Sequence, residues 1–284
     1  MKKFHIITNS YKDLELINTK YIVEYLKERG CFASFELTDL KGENIRFSKE
    51  LIESDCIIVL GGDGTLLFAA RKIFGMNKPL IGVNMGNMGY LCELELNDIE
   101  NALNNLIDDV YDMEDRMMVQ GEIFDNSQKM KSSDFALNDV VIHRGGNLRL
   151  LNFIIYVDDV HLCTYSADGI IIATPTGSTA YSMSAGGPIV EPRAQIILLT
   201  PINSHTISTK SIVISAQSSI TVEIGEGRRQ KIEEAMVSFD GKKPIKVSSG
   251  EKITVSRAKN VTRILKMSKI SFLKTLHKKM QEYI

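Results

Sequence analysis

The sequence predicts an N-terminal Rossmann-like α/β domain followed by a C-terminal β-rich, sandwich-like domain. In the first third of the chain, apolar runs alternate with segments of helical apolar spacing, which is typical of a parallel α/β sheet. Beyond residue 113 the apolar runs become short and are separated by turn residues, as in a sandwich or barrel. The 284 residues are enough for two domains. We therefore expect an α/β domain over 1–112, a β-rich domain over 113–258, and a C-terminal segment over 259–284 whose helix packs on the first domain.

Strands and helices alternate in the first predicted domain. Apolar residues spaced three to four apart predict a helix over 14–29, and Gly30 follows it where a helix commonly ends. Continuous apolar, β-branched runs predict buried parallel strands. The predicted strands cover 4–8, 32–37, 56–60 and 80–83, and two more predicted helices cover 66–74 and 98–108. The segment between the second and third strands is polar, and we expect a connection there.

Short β-rich runs dominate the second predicted domain. Turn residues between them, such as Asp158-Asp159 and Gly225-Glu226-Gly227, favour tight reversals of the chain. The predicted strands cover 135–143, 150–157, 161–166, 170–173, 196–199, 212–215, 220–224 and 235–239. Near the end of the chain the apolar residues return to helical spacing, which predicts an amphipathic helix over 271–282.

Composition excludes several classes of protein. A hydrophobic fraction of 44%, a charged fraction of 24% and a formal net charge of −1 are typical of an ordinary globular protein, so we expect no nucleic-acid partner. No apolar run approaches the roughly 20 residues of a membrane span, and the first apolar stretch is too short for a signal peptide. The four cysteines lie far apart with no Cys-x-x-Cys pair, which indicates reduced thiols. We therefore expect a cytoplasmic protein that binds no membrane.

The motif Gly61-Gly62-Asp63-Gly64-Thr65 directly follows a predicted buried strand. The carboxyl ends of parallel strands are where α/β sheets bind ligands. Three glycines let backbone N–H groups approach a phosphate closely, and Asp63 is the one charged side chain among them. The motif indicates either a phosphate-binding loop with a catalytic carboxylate or an ordinary turn with a solvated aspartate.

Two further patterns place polar residues in apolar surroundings. Residues 168–188 run from Asp168 through a strand of isoleucines into a turn rich in hydroxyls, proline and glycine. Such a turn either presents its hydroxyls and N–H groups to a ligand or is capped by its own Ser and Thr side chains. The pair Asn138-Asp139 lies between apolar neighbours and indicates either a bulge or a binding edge.

Together these patterns resemble the NAD kinase family, whose members use ATP or polyphosphate to phosphorylate the 2′-hydroxyl of the adenosine ribose of NAD. The similarity covers most of the chain and keeps the family's order. It includes the segments 61–65, 84–91, 138–139, 168–188, 200–206 and 238–241. The 61–65 motif alone is also similar to lipid kinases and, in variant form, to phosphofructokinases, whereas the 168–188 block distinguishes the family. Members have an α/β first domain and a β-rich second domain.

The resemblance implies a role for each matching residue. Asp63 would be the catalytic carboxylate and would contact NAD together with Gly64. A ribose hydroxyl is a weak nucleophile, so a carboxylate that orients it and accepts its proton suits phosphoryl transfer. The loop residues implied to face the phosphates of the donor are Gly61, Gly62, Gly64 and Thr65. The other residues implied to contact NAD are Asn138, Asp139, Asp168, Thr179, Ala180, Tyr181, Ser184, Asn203, His205 and Asp240.

The resemblance also implies the substrates and the cofactor. The substrates would be NAD and either ATP or polyphosphate. Mg²⁺ would accompany the phosphates of the donor, without fixed protein ligands, and would neutralise charge that develops during transfer. Members commonly form homodimers or homotetramers, so a homo-oligomer is implied. Most members carry Asn-Glu where this chain has Asn138-Asp139, so the carboxylate is one methylene shorter here.

Two other functions are compatible with part of the sequence. A lipid or sugar kinase would share the 61–65 motif, but the turn at 174–181 would have no role in it. A nucleotide sensor without turnover would keep the binding pocket. Asp63 argues against the sensor, because a pure binding site gains nothing from a carboxylate beside anionic phosphates.

Overall fold

Two compact units form the protein, as seen in a computed structural model of the chain. The structure describes residues 1–38, 47–86, 89–92, 94–146, 149–205, 210–267 and 272–282. One unit comprises residues 1–116 and 260–284, and the other comprises residues 117–259. Of the residues in the predicted motifs and helices, Asn87, Met88, Thr206 and Ser271 lie outside the described ranges. Within those ranges, no helix is long and apolar enough to cross a membrane.

The unit of residues 1–116 and 260–284 has an α/β architecture. Its strands are β1 (Lys3–Thr8), β2 (Phe32–Leu37), β3 (Cys56–Gly61), β4 (Pro79–Asn84), β5 (Leu94–Glu95), β6 (Asp112–Arg116) and β19 (Thr262–Lys266). Its helices are α1 (Ile17–Glu28), α2 (Lys49–Glu53), α3 (Asp63–Lys72), α4 (Ile99–Ile107) and α6 (Phe272–Glu282). A short 3₁₀ turn, Leu14–Leu16, precedes α1, and another, Leu96–Asp98, precedes α4.

These strands form one mixed sheet. Within the described residues its order is β2-β1-β3-β4-β19-β6, with β5 beside β4. The pairs are parallel except for β19 with β6. Strand β3 is buried along its whole length, as expected of a central parallel strand. Apolar residues of α1 and α4, including Ile22 and Leu103, pack with Ile58 of β3 in one core.

The unit of residues 117–259 consists mainly of antiparallel strands. They are β7 (Val119–Phe124), β8 (Met130–Ala136), β9 (Asp139–Arg144), β10 (Leu151–Val157), β11 (Val160–Ala167), β12 (Gly169–Ala173), β13 (Ile196–Ile202), β14 (Ile212–Ser215), β15 (Ile220–Ile224), β16 (Glu234–Phe239), β17 (Ile245–Ser248) and β18 (Lys252–Arg257). The short helix α5 spans Tyr181–Ser184, after a 3₁₀ turn at Thr176–Thr179. A further 3₁₀ turn spans Arg228–Gln230.

Two sheets of this unit face each other as a sandwich. In the described residues their orders are β11-β10-β15-β18-β7-β8 and β14-β13-β12-β9-β16-β17. Phe153 of the first sheet and Ile142 and Ile170 of the second belong to one apolar core. The other face of the second sheet is covered as well, since Ile171 and Leu198 pack with Val190. This double coverage explains the continuous run of isoleucines in β12.

The predicted fold class is confirmed, whereas several predicted elements are wrong. The predicted strand at 135–143 is two strands, β8 and β9, interrupted at Leu137 and Asn138. The helix predicted from residue 66 begins at Asp63, because the glycines of the motif form its start. Helix α2 lies in the segment that we expected to be a connection. Strands β5, β6, β7, β17, β18 and β19 were not predicted, because their sequences contain few continuous apolar residues.

A buried charged cluster fastens the end of α3 to the sheet. Lys72 of α3 forms an ion pair with Glu36 of β2, and the lysine side chain is only 5% exposed. His5 of β1 lies with its Nε2 atom 3.7 Å from the same carboxylate. Burial alone would raise the pKa of Glu36, but the hydrogen bonds and positive charge of its two neighbours outweigh burial and lower it.

We predict that Glu36→Gln lowers the free energy of unfolding by about 2 kcal/mol at pH 7, because Lys72 is left buried without its counter-ion. A group with a lowered pKa stabilises the fold above its unfolded-state pKa and loses that contribution as the pH falls. The difference from wild type should therefore shrink below about pH 4.5.

Urea unfolding at pH 7 and pH 4 measures both effects. Glu53→Gln is the matched control, since Glu53 pairs with Lys3 and Lys49 on the surface, where solvent screens the charges and an ion pair contributes little to stability. Equal losses in the two variants would show that burial of the Glu36 pair carries no extra stability.

Candidate functional site

The predicted phosphate loop begins where the central strand β3 ends. The chain turns at Gly61 and Gly62, and α3 starts at Asp63. A Cβ atom on Gly61 would overlap the side chain of Thr65, so only glycine fits there. The first N–H groups of a helix have no intrahelical acceptor, and the helix dipole is positive at this end. The loop therefore presents hydrogen-bond donors and partial positive charge beside Asp63.

The carboxylate of Asp63 is held by three backbone N–H groups from the segment after β4. Tyr90 donates to Oδ2 at 2.8 Å, and Leu91 and Cys92 donate to Oδ1 at 3.1 Å each. A Cβ atom on Gly89 would collide with this carboxylate, so the approach requires glycine. Both oxygens thus have a defined orientation before any ligand binds.

The remaining loop residues differ in exposure. Gly64 is exposed, and a Cβ atom there would meet nothing within 4 Å. Thr65 is buried, and its Oγ1 accepts a hydrogen bond of 3.3 Å from the side chain of Asn9. Beside Gly62 lies the ammonium of Lys12, with Nζ 2.9 Å from the position that a Cβ of Gly62 would take. No local feature of the sequence distinguishes Lys12 from other exposed lysines, so Lys12 is not among the predicted residues.

In the other unit, Asp240 organises the predicted pair Asn138-Asp139. Its carboxylate accepts N–H groups from Leu137 at 2.8 Å, Asn138 at 2.8 Å and Asp139 at 3.2 Å. Because these N–H groups bind a side chain, they do not pair with a neighbouring strand, and β8 ends there. Gly177 lies so close to the carbonyl of Asn138 that a Cβ atom would overlap it. The break between β8 and β9 therefore packs directly against the turn that follows β12, through Asn138 and Gly177.

The Asp139 carboxyl is in an unusual electrostatic environment. The residue is 5% exposed. Burial and, secondarily, the nearby charge of Asp240 raise the pKa of Asp139 to about 7. Near neutral pH this carboxyl thus exists in both protonation states and can either donate or accept a hydrogen bond.

The hydroxyl-rich turn is largely bonded to itself. Thr174 is buried, and its Oγ1 donates to the carbonyl of Leu137 at 2.5 Å. Ser178 Oγ accepts the N–H of Val190 at 3.0 Å, and Ser182 Oγ lies 3.2 Å from Thr200 Oγ1. Of the two interpretations of this turn, capping by its own hydroxyls accounts for these three residues.

The four predicted contacts in this turn lie at its less buried end. Thr179 is half-buried, and its Oγ1 donates to the carbonyl of Thr176 at 3.2 Å. Ala180 is also half-buried, and its N–H donates to the carbonyl of Gly177 at 2.9 Å. Tyr181 and Ser184, the two ends of α5, are exposed.

A cavity of about 610 Å³ brings Tyr181 together with two other predicted residues, Asp168 and Asn203. Asp168 forms an ion pair of 2.7 Å with Arg144 Nε and accepts a hydrogen bond of 3.1 Å from Asn203 Nδ2. Tyr181 lies on the wall of the same cavity, where its ring offers a flat apolar face. The remaining wall is formed by His143, Gly145, Gly146, Ile202, Met236 and Pro244.

The predicted residues thus fall into separate groups. Asp63 and the loop belong to the unit of residues 1–116 and 260–284, and the other predicted residues belong to the unit of 117–259. His205 is exposed, donates its N–H to the carbonyl of Ser166 at 3.1 Å, and does not line the cavity. His143 and Met236 line the cavity but are not among the predicted contacts, because each lies in an apolar strand and no local pattern marks it as a site residue.

The described residues do not form a protein-held metal site. No group of three or more His, Cys, Asp or Glu side chains among them is arranged to hold an ion. Both oxygens of the Asp63 carboxylate already accept N–H groups.

We predict that Asp139→Asn removes a pH dependence of stability. In wild type the pKa is about 7 when folded and near 3.8 when unfolded, so the native carboxyl retains a proton that the unfolded chain releases. The stability of wild type should fall by about 2 to 4 kcal/mol as the pH rises from 4 to 8. Urea unfolding across this range should show a flatter profile for the variant.

Asp159→Asn is the matched control, because Asp159 is an exposed carboxylate in the turn between β10 and β11. Its profile should follow that of wild type. Identical profiles for Asp139→Asn and wild type would contradict a raised pKa at Asp139.

Family comparisons identify both units. Residues 18–111 match the ATP-NAD kinase N-terminal domain, and residues 137–267 match the ATP-NAD kinase C-terminal domain. An NAD kinase of Agathobacter rectalis is 46% identical over 286 aligned residues, covering 100% of each chain. An NAD kinase of Lachnospira eligens is 40% identical and covers 99% of this chain and 100% of that protein.

Solved structures have the same fold. An NAD kinase from Archaeoglobus fulgidus in complex with ATP matches with a TM-score of 0.78 and 26% identity, and the match covers 98% of each chain. The yeast NADH kinase complexed with NADH matches with a TM-score of 0.83, covering 99% of this chain and 88% of that chain. At 21% identity this second likeness concerns the fold alone. The domain matches and the full-length relatives lead to one conclusion: the chain belongs to the NAD kinase family.

Proposed function

We propose that this protein transfers the γ-phosphoryl group of ATP to the 2′-hydroxyl of the adenosine ribose of NAD, producing NADP. The observation that carries the proposal is the Asp63 carboxylate, oriented by three N–H groups beside a glycine loop at the start of a helix. Membership of the NAD kinase family supplies the substrates, since its relatives carry that name. The related kinase from Archaeoglobus fulgidus was solved with ATP.

Asp63 acts on the attacking hydroxyl. The ribose O–H donates a hydrogen bond to the carboxylate, which aligns the oxygen with the γ-phosphorus. As the new O–P bond forms, the bond from the γ-phosphorus to the bridging oxygen breaks and ADP leaves. The ribose proton passes to Asp63 and then to solvent. A positioned base of this kind contributes roughly 10² to 10⁴ in rate.

The glycine loop binds the phosphates of the donor. We assign the donor phosphates to the backbone of Gly61, Gly62 and Gly64: the space beside Gly64 is open, and the positive end of α3 favours the charge of a phosphate. Thr65 is buried, and its side chain packs against Gly61 of the loop. ATP enters as its magnesium complex, and we include polyphosphate as a second possible donor.

The unit of residues 117–259 binds NAD. Asp139 pairs with Ala173 at one end of the β9–β12 ladder, and His143 pairs with Gly169 at the other. Four residue steps along a strand span about 13 Å. The Asn138-Asp139 pair and the Asp168 cavity are therefore far enough apart to bind different nucleoside ends of one dinucleotide. Asp168 is proposed to lie at the nicotinamide end.

Other predicted residues have supporting roles in this proposal. Tyr181 stacks on a base, while Thr179, Ala180 and Ser184 border the same turn. Asn203 lines the cavity and contacts NAD there, whereas His205, outside the cavity wall, contacts a part of NAD that extends beyond it. The carboxylate of Asp240 is engaged by backbone N–H groups, so it acts on NAD through the two residues that it orients.

At the level of the whole protein we propose three further properties. The donor chemistry belongs to residues 1–112, NAD binding belongs to residues 113–258, and the segment 259–284 completes the first domain. The protein is a homodimer or homotetramer. It works in the cytoplasm, where NAD and ATP are both present.

We predict that wild type forms NADP from NAD and MgATP, and that Asp63→Asn lowers kcat by about 10³ while NAD binding persists. Asparagine keeps one of the two oxygens that accept N–H groups, replaces the other by an NH2 group that cannot accept one, and cannot take up the ribose proton. An NADP-specific dehydrogenase measures the product, and calorimetry measures NAD binding.

Asp98→Asn is the matched control, since Asp98 is an exposed carboxylate before another helix of the same unit. It should keep wild-type kcat. Failure of wild type to form NADP from ATP or polyphosphate would refute the proposed function, and phosphorylation of a lipid or sugar instead would favour the alternative kinase. Full activity in Asp63→Asn would exclude Asp63 as the base.

A further inference from the structure

Lys12 lies in a turn that is tied to the glycine loop. The turn follows β1, and the N–H groups of Lys12 and Asp13 both donate to the carbonyl of Asn9 at 3.0 Å. Asn9 in turn donates its backbone N–H to Leu60 at 2.9 Å and its side-chain N–H to Thr65 at 3.3 Å. The backbone that carries Lys12 is therefore fixed relative to the end of β3.

The other side of the turn is fixed by Asp13, which is 1% exposed. Its carboxylate accepts the N–H of Thr19 at 2.8 Å and the hydroxyl of Thr19 at 2.6 Å. It also accepts the N–H of Asn18 at 3.0 Å. The turn is thus connected to the first turn of α1 on one side and to the loop on the other, which limits where Lys12 can reach.

The ammonium of Lys12 lies over two glycines. Its Nζ is 2.9 Å from the position that a Cβ of Gly62 would take, and 3.3 Å from the corresponding position at Gly86. Gly62 follows β3 and Gly86 follows β4, so the ammonium lies at the carboxyl edge of the sheet. Any larger residue at Gly62 would displace it.

Nothing in the described part of the chain neutralises this ammonium. No carboxylate there lies within 4.0 Å of Lys12, unlike Lys72, which has Glu36. The ammonium lies beside the N-terminus of α3, where the helix dipole adds positive potential. Such a combination favours an anion as its partner, and a phosphate accepts hydrogen bonds from both kinds of donor.

We propose that Lys12 binds a phosphate of the phosphoryl donor where it rests on the 61–65 loop. The proposal rests on the proposed function, because it assigns the ligand as a nucleoside triphosphate or an inorganic polyphosphate. Lys12 supplies a point charge that the loop lacks, while the N–H groups at the start of α3 set the direction of approach. Its role is in donor binding, so NAD affinity does not depend on it.

Steady-state kinetics of Lys12→Met, Lys12→Arg and Lys20→Met test the proposal. Lys20 is an exposed lysine on α1 of the same unit and serves as the control. Loss of one charge-assisted phosphate contact should raise KM for ATP about tenfold or more in Lys12→Met, with KM for NAD changed less than about twofold. Lys12→Arg keeps the charge and should stay within about threefold of wild type, and Lys20→Met should be unchanged.

Thermal unfolding with inorganic tripolyphosphate provides a readout that needs no turnover. The rise in melting temperature that tripolyphosphate produces in wild type should be reduced in Lys12→Met and preserved in Lys20→Met. Unchanged KM for ATP in Lys12→Met, or an undiminished rise in melting temperature, would overturn the proposal. Absence of NADP formation by wild type would refute the proposed function alone, because the tripolyphosphate comparison still decides the role of Lys12.

Discussion

The three hydrogen bonds accepted by Asp63 are the interaction on which the candidate site depends. They join the first turn of α3 to the segment after β4, so two neighbouring parallel strands end at one carboxylate. Two glycines permit this close packing. A Cβ atom on Gly61 would overlap the side chain of Thr65, and a Cβ atom on Gly89 would overlap the carboxylate of Asp63. The far end of α3 is fixed as well, by Lys72 and its buried partner Glu36. The helix that carries the proposed base is therefore held at both ends.

The second unit uses the same chemistry for a different purpose. There the carboxylate of Asp240 accepts three backbone N–H groups. These hydrogen bonds interrupt a strand, whereas those of Asp63 hold the start of a helix. The interruption places a second carboxyl, Asp139, in a buried position near a negative charge. A carboxyl with a pKa near neutrality is suited to recognising hydroxyl groups, because it can act as donor or acceptor. Backbone N–H groups thus hold two aspartates: Asp63, which is itself the proposed base, and Asp240, which positions Asp139.

The sequence predicted those features whose signals are local. The buried run of β3, the glycines after it and the hydroxyl block at 168–188 are all visible as contiguous patterns. The three hydrogen bonds to Asp63 could not be predicted from the sequence. Their donors are the backbone N–H groups of Tyr90, Leu91 and Cys92, which residues with other side chains would also supply. The break between β8 and β9 depends on Asp240, about a hundred residues later, so an apolar pattern alone predicted one strand. The role proposed for Lys12 could not be predicted either, because it depends on the tertiary packing that places the ammonium beside Gly62.

The position of β19 has a consequence for how the protein is made. Residues 262–266 lie between β4 and β6, so the sheet that carries the 61–65 loop includes a strand synthesised after the whole of the unit 117–259. During translation, β4 and β6 are synthesised before β19, the strand that lies between them. All strands of the unit of residues 117–259 are also complete before β19 is made. The part of the β4 edge that β19 covers, at Pro79 and Leu80, is then open to premature pairing with other nascent chains. The order of synthesis therefore favours completion of the sandwich of residues 117–259 before the mixed sheet of the other unit is complete.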